Sequence, residues 1–175
     1  MVLLKRITTQ YCENEDRIRL TGENADGSLM CLWLSHRFLN RLIPFLLDWL
    51  EKTSTSDVKA SPPQSIPIQN FEQHEALAQL NSENSTKSKK PTPSFKEIEA
   101  NQWLVNEVDI KKSNHILHLV FKNQKGKSAE LLLKTIELRQ WLFIICSQWE
   151  KSEWSSEIWP EWITCSEEIE ISNWH

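Results

Sequence analysis

Glycine is almost missing from this chain. Gly22, Gly27 and Gly126 are the only three, whereas phosphate-cradling loops and dinucleotide-binding turns need glycines clustered where backbone must approach a ligand. Nucleotide-dependent enzymes are disfavoured on that ground. Cysteine is sparse as well. Cys12, Cys31, Cys146 and Cys165 show no CxxC spacing, and two of them fall in apolar patterns. Reduced, structural thiols fit better than a zinc site or a disulfide framework. No apolar run approaches the length of a membrane span, and the apolar residues before Lys5-Arg6 are too few for a secretion signal. No membrane association is expected, and the cytoplasm is the default location. Lysine and arginine are absent beyond Lys151, where six glutamates follow. The chain has a formal charge of −4, with a nearly neutral body and an acidic tail, so there is no global attraction to nucleic acid.

What is present is a pattern stated twice. An offset of 99 residues lays Ile18 on Leu117, Leu20 on Leu119, Asn24 on Asn123, Gly27 on Gly126, Leu32 on Leu131, Leu34 on Leu133 and Leu39 on Leu138. It also lays Glu51-Lys52 on Glu150-Lys151, at the end of each apolar run. Such self-similarity marks a duplicated unit. The match is of pattern more than of identity, so two unrelated units of one hairpin-then-helix type are the competing explanation.

Within the first unit, residues 1–52, three strands are expected at 2–10, 16–22 and 28–34. Asn24-Ala25-Asp26-Gly27 supplies turn chemistry between the second and third. Ser35 stands at a helix N-cap, and the helix from His36 to Glu51 keeps Arg37, Arg41, Pro44, Asp48 and Glu51 on one narrow polar stripe. The rest of that helix is apolar, more than one sheet face covers, so it needs two neighbours. The second unit, 101–151, repeats the order with strands at 103–110, 114–121 and 128–134 and a helix from Thr135 to Lys151. The expectation is an α+β protein of two βββα units, each an antiparallel meander followed by an apolar helix, with the helices buried on each other about a pseudo-twofold axis.

Residues 53–100 are rich in Ser, Thr, Pro, Lys and Asn, a composition that does not offset its ordering entropy by burial, and they are expected to be a disordered linker. A short helix at 70–80 is the one island, with Phe71, Leu77 and Leu80 as anchors for a partner. The tail, 152–175, carries Trp154, Trp159, Trp162 and Trp174 among its glutamates. These tryptophans either cover the apolar helices or dock on a partner, indole being a frequent hot-spot side chain.

Motifs for chemistry are scarce. His115 and His118, three apart on a strand, point to opposite faces and suit one metal ion poorly. Nothing calls for a cofactor, a metal or a catalytic residue, and a small enzyme becomes attractive only if the fold converges His36, Cys31 and a carboxylate. Arg17, Arg19, Arg37 and Arg41 are candidates for a basic strip that binds single-stranded nucleic acid, with Tyr11 or Trp33 as a stacking surface. The preferred expectation is a non-enzymatic adaptor, assembly or regulatory factor. It engages a protein partner through apolar helix surface, Phe71, Leu77 and Leu80 of the insert, and Trp154, Trp159 and Trp162 of the tail. A homodimer with helices paired between chains is the structural alternative.

Overall fold

The alternation in Arg17-Ile18-Arg19-Leu20-Thr21 becomes a strand with Ile18 and Leu20 fully buried and both arginines half-exposed, because successive side chains leave opposite faces of a strand. The computed structural model describes residues 2–58, 62–86 and 101–163. Among them run β1 (Val2–Leu3), β2 (Ile7–Cys12), β3 (Arg17–Glu23) and β4 (Leu29–Ser35), then α1 (His36–Val58) and α2 (Pro62–Thr86). After these come β5 (Gln102–Leu104), β6 (Glu107–Ser113), β7 (Ile116–Lys122), β8 (Ser128–Lys134) and α3 (Thr135–Trp149). The fold is α+β, with eight strands in two four-stranded sheets and three helices among the described residues.

The first sheet has the order β2-β3-β4-β5 and the second β1-β8-β7-β6. Three strands of each form an antiparallel meander, as expected from the turn residues. The hairpin turns close on Gly27 and Gly126, at φ of 84° and 77°, a region open to glycine at no steric cost. The fourth strand corrects the expected strands at 2–10 and 103–110, each of which is split between the two sheets, as β1 and β2 and as β5 and β6. β5 joins β4 in parallel, with Leu32 opposite Trp103, and β1 joins β8 in parallel, with Leu3 opposite Glu130. Each sheet is therefore completed by a strand from the other half of the chain. Leu4 marks one crossing point. Its amide bonds Glu130 O at 2.8 Å, while its side chain fills the space above Gly22, where an added Cβ would lie 2.8 Å from Leu4 Cδ2.

The helices start as their sequences require. Ser35 Oγ accepts the Phe38 amide at 3.3 Å, and at the start of α3 the Glu137 carboxylate accepts the Lys134 amide at 2.7 Å. In α1 the stripe of Arg37, Arg41, Pro44, Asp48 and Glu51 is exposed, while Leu39, Leu42, Ile43, Leu46 and Leu50 are buried. The helices also cross between halves. Trp141 of α3 donates to Thr9 of β2 at 3.0 Å and Gln148 of α3 accepts the Tyr11 amide at 3.1 Å, while Phe38 of α1 packs on Phe121 of β7 with ring centroids 6.4 Å apart. One hydrophobic cluster spans both sheets and both apolar helices.

The insert departs from its compositional reading at 62–86. There α2 buries Gln69, Gln73, Ala76 and Leu77, one stripe at helical spacing, against α3 and the end of α1. Composition underestimates this order because two of those four contacts are made by glutamine amides, which bury through hydrogen bonds and add nothing to an apolar pattern. Residues 59–61 and 87–100 of the linker, and 164–175 of the tail with Trp174, lie outside the described residues. Cys12 and Cys31 are free, as expected, but Cys146 is disulfide-bonded. Sequence spacing carries no information on which thiols a fold brings within bonding distance.

Candidate functional site

The stretch after α3 folds back over the apolar helices and builds an aromatic layer. Trp154 stacks on His36 at 4.5 Å and meets Tyr11 and Trp149 edge to face at 5.5 and 4.8 Å. Trp159 meets Trp149 edge to face at 5.7 Å. Such edge-on contacts match ring edge to ring face and add to area burial. Polar ends are also held. Trp154 Nε1 and the Tyr11 hydroxyl both donate to Asp16 Oδ1, at 2.8 and 2.9 Å, and Trp149 Nε1 donates to the Ser155 carbonyl at 3.1 Å. The bond to the Asp16 carboxylate raises the Tyr11 phenol above its ordinary pKa, since the neutral donor is the form that makes it.

Trp162 lies deeper. It is buried, its indole donates to Glu51 Oε1 at 3.3 Å, and the Arg139 guanidinium sits over its ring at 5.2 Å. Arg139, 2% exposed, gathers α1, α2 and the tail. Its Nη2 donates to Ser54 Oγ at 3.0 Å and to Gln69 Oε1 and Glu72 Oε2, each at 2.6 Å. Gln73 returns a bond to the Arg139 carbonyl at 3.4 Å. Burial lowers the Arg139 pKa, and the charge of Glu72 opposes that shift. Sequence reasoning missed this node. The available signal was that Arg139 is the one charged residue between Leu138 and Trp149.

Between α1 and the returning stretch runs a shallow, open groove of about 310 Å³. Pro44 and Leu47 line one side, Ile158, Trp159 and Pro160 the other, and Asp48, Glu51 and Glu157 rim it. Asp48 holds Lys52 at 2.7 Å. The Trp159 indole nitrogen is buried with no hydrogen-bond partner. What looked in the sequence like a plain solvent stripe on α1 is one wall of this groove.

The expected anchors are thus distributed unevenly. Trp154 and Trp162 are built into the fold and Trp159 forms groove wall, while Phe71 is 70% exposed on α2, Leu77 is buried and Leu80 half-buried. Arg17 and Arg19 share the outer face of the first sheet, Arg19 opposite Trp33. Arg17 pairs with Glu15 at 3.8 Å and Arg19 donates to Gln10 at 2.6 Å. Arg37 and Arg41 are exposed on α1, one turn apart. His36 faces Asn40, Trp149 and Trp154, whereas Cys31 lies against Arg19 and Thr21 with its thiol pushed up by burial to about 11. Sequence chemistry therefore gains no triad from these two. His118 bonds Glu130 at 2.9 Å, and His115 turns the β6–β7 corner at φ 59°. Among the described residues, no group of three or more His, Cys, Asp or Glu could hold a metal ion, and no helix is long and apolar enough to cross a membrane. Compared with protein-family models, with curated proteins and with solved structures, the chain matches none.

Proposed function

We propose that the protein is a non-enzymatic interaction or assembly factor that docks a protein partner on the face shared by α1 and residues 157–160. The single observation that carries this reading is the groove: a shallow apolar floor on α1, walled by a tryptophan and rimmed by carboxylates. Concave apolar surface with a few convergent polar groups is the usual form of a recognition site. Its tryptophan wall is braced by Trp149, so the surface is formed in advance and binding orders little.

The same reading takes the architecture as two related βββα units about a pseudo-twofold axis. Several correspondences at the offset of 99 support it. β3 and β4 fall on β7 and β8 end to end, the positive-φ residues Asp16 and Gly27 fall on His115 and Gly126, and the Cys31–Gln102 pairing falls on that of Glu130 with Leu3. The units part company after the helices. α1 continues to Val58, while α3 stops at Trp149 and the chain turns back. The groove lies where the second unit abandons the pattern of the first, so duplication supplies the scaffold and divergence the site.

The test is affinity capture from native extract with the full chain and with the full chain carrying Leu47→Asp and Ile158→Asp, each checked for native circular dichroism. A protein retained by the first and lost from the second supports docking at the groove. Equal capture by two folded forms rules the groove out as the docking face.

A further inference from the structure

The occupant of the groove is constrained by charge, an argument that rests on the docking reading above. We propose that the groove takes a basic peptide segment of the partner, in which Lys or Arg side chains flank an aliphatic anchor. Its two lining stretches, 44–52 and 150–161, hold Asp48, Glu51, Glu150, Glu153, Glu157 and Glu161 against Lys52 and Lys151. Of the acids that border the opening, Asp48 is engaged by Lys52 and Glu51 by the Trp162 indole, and Glu157 stands exposed.

An acidic segment entering this space meets charge of its own sign, and a wholly apolar one strips water from carboxylates without replacing it. A segment that pairs cations with the rim while its aliphatic side chain covers Leu47, Ile158 and Trp159 satisfies both layers at once. The mode of recognition follows from the backbone. Pro44 and Pro160 have no amide hydrogen, and the α1 amides are committed within the helix. The groove therefore offers no row of donors for an added strand, and the segment is held by its side chains.

Three short fluorescent peptides of equal length test this against the full chain by anisotropy: one of Lys and Leu, one of Glu and Leu, and one of Lys and Ser. The Lys/Leu peptide is expected to bind at least about tenfold more tightly than either other and to weaken as salt is raised. Reversing the exposed rim with Asp48→Lys and Glu157→Lys is expected to weaken it by about tenfold or more. If Ile158→Asp abolishes binding while the rim reversal leaves it unchanged, the groove docks a partner but the basic occupant is wrong. If Lys/Ser binds as well as Lys/Leu, the aliphatic anchor, and with it this proposal, falls; if neither variant alters binding, the groove is not the site and both proposals fall.

Discussion

Arg139 and Glu72 form an ion pair whose two members pay unequally for separation. Arg139 is buried, whereas the Glu72 side chain is 34% exposed and regains water once its partner is gone. Glu72→Gln leaves the buried guanidinium with neutral hydrogen-bond acceptors and the charge of Glu51 nearby, and is expected to cost roughly 3 kcal/mol. Arg139→Met keeps most of the volume and frees a carboxylate that rehydrates, at roughly 1–2 kcal/mol. Urea unfolding of the two variants distinguishes them, and the reverse order would mean that Arg139 contributes mainly by packing. Cys31 gives a second residue-scale test. Burial holds its thiol at about 11, above the ordinary 9.0. Native protein at pH 8 should therefore alkylate at the partly exposed Cys12 before Cys31, as mass spectrometry of the tryptic peptides will show. The sign of the linkage is fixed by the same shift. Between pH 9 and 11 the native state holds a proton that the unfolded state has released, so the Cys31 contribution to stability is full below pH 9 and declines as pH rises through that window.

Among the elements, α2 reverses the ordinary arrangement of a surface helix. Its buried stripe carries Gln69 and Gln73 beside Ala76 and Leu77, while two of its large apolar side chains, Ile66 and Phe71, are 53% and 70% exposed. Phe71→Ala is accordingly expected to change stability by no more than about 0.5 kcal/mol, and Leu77→Ala, which empties a buried site, by about 2 kcal/mol or more. Equal losses in thermal unfolding would show that Phe71 is covered in solution. This helix also marks the limit of what the amino-acid pattern discloses. Ile18 and Leu20 reveal β3 because alternation is a local property of one strand, and Ser35 reveals the start of α1 because capping is local too. The burial of Gln73 depends on Arg139, 66 residues away, and nothing near Gln73 signals it. The wall made by Ile158 and Trp159 was hidden for the same reason: the Trp residues were visible, but whether they face inward depends on Trp149 and His36.

For the whole molecule, the crossed strands remove the independence that a two-unit sequence suggests. Without β5 the first sheet ends at β4, and without β1 the second ends at β8, each leaving an unpaired row of backbone groups beside buried apolar residues. Fragments 2–86 and 101–163 are expected to lack cooperative unfolding when separate and to regain it when mixed, followed by circular dichroism and size-exclusion chromatography. A fragment that unfolds cooperatively alone would show that its fourth strand is dispensable. The destination of β1 was not legible in the sequence, since two residues in parallel pairing leave no periodicity to detect, whereas the six- and seven-residue strands of the meanders did.

The Leu3–Glu130 pairing also sets an order of events on the ribosome. Val2 and Leu3 leave the exit tunnel before any other described segment, yet their pairing partners, Ala129 and Glu130, are translated more than a hundred codons later. Throughout that interval the nascent chain carries β1 unpaired, and the first sheet closes only once Gln102–Leu104 has emerged. Synthesis of the second half is therefore the step that completes the first, and a ribosome stalled between the two leaves the β4 edge and the unpaired β1 open to pairing with another chain.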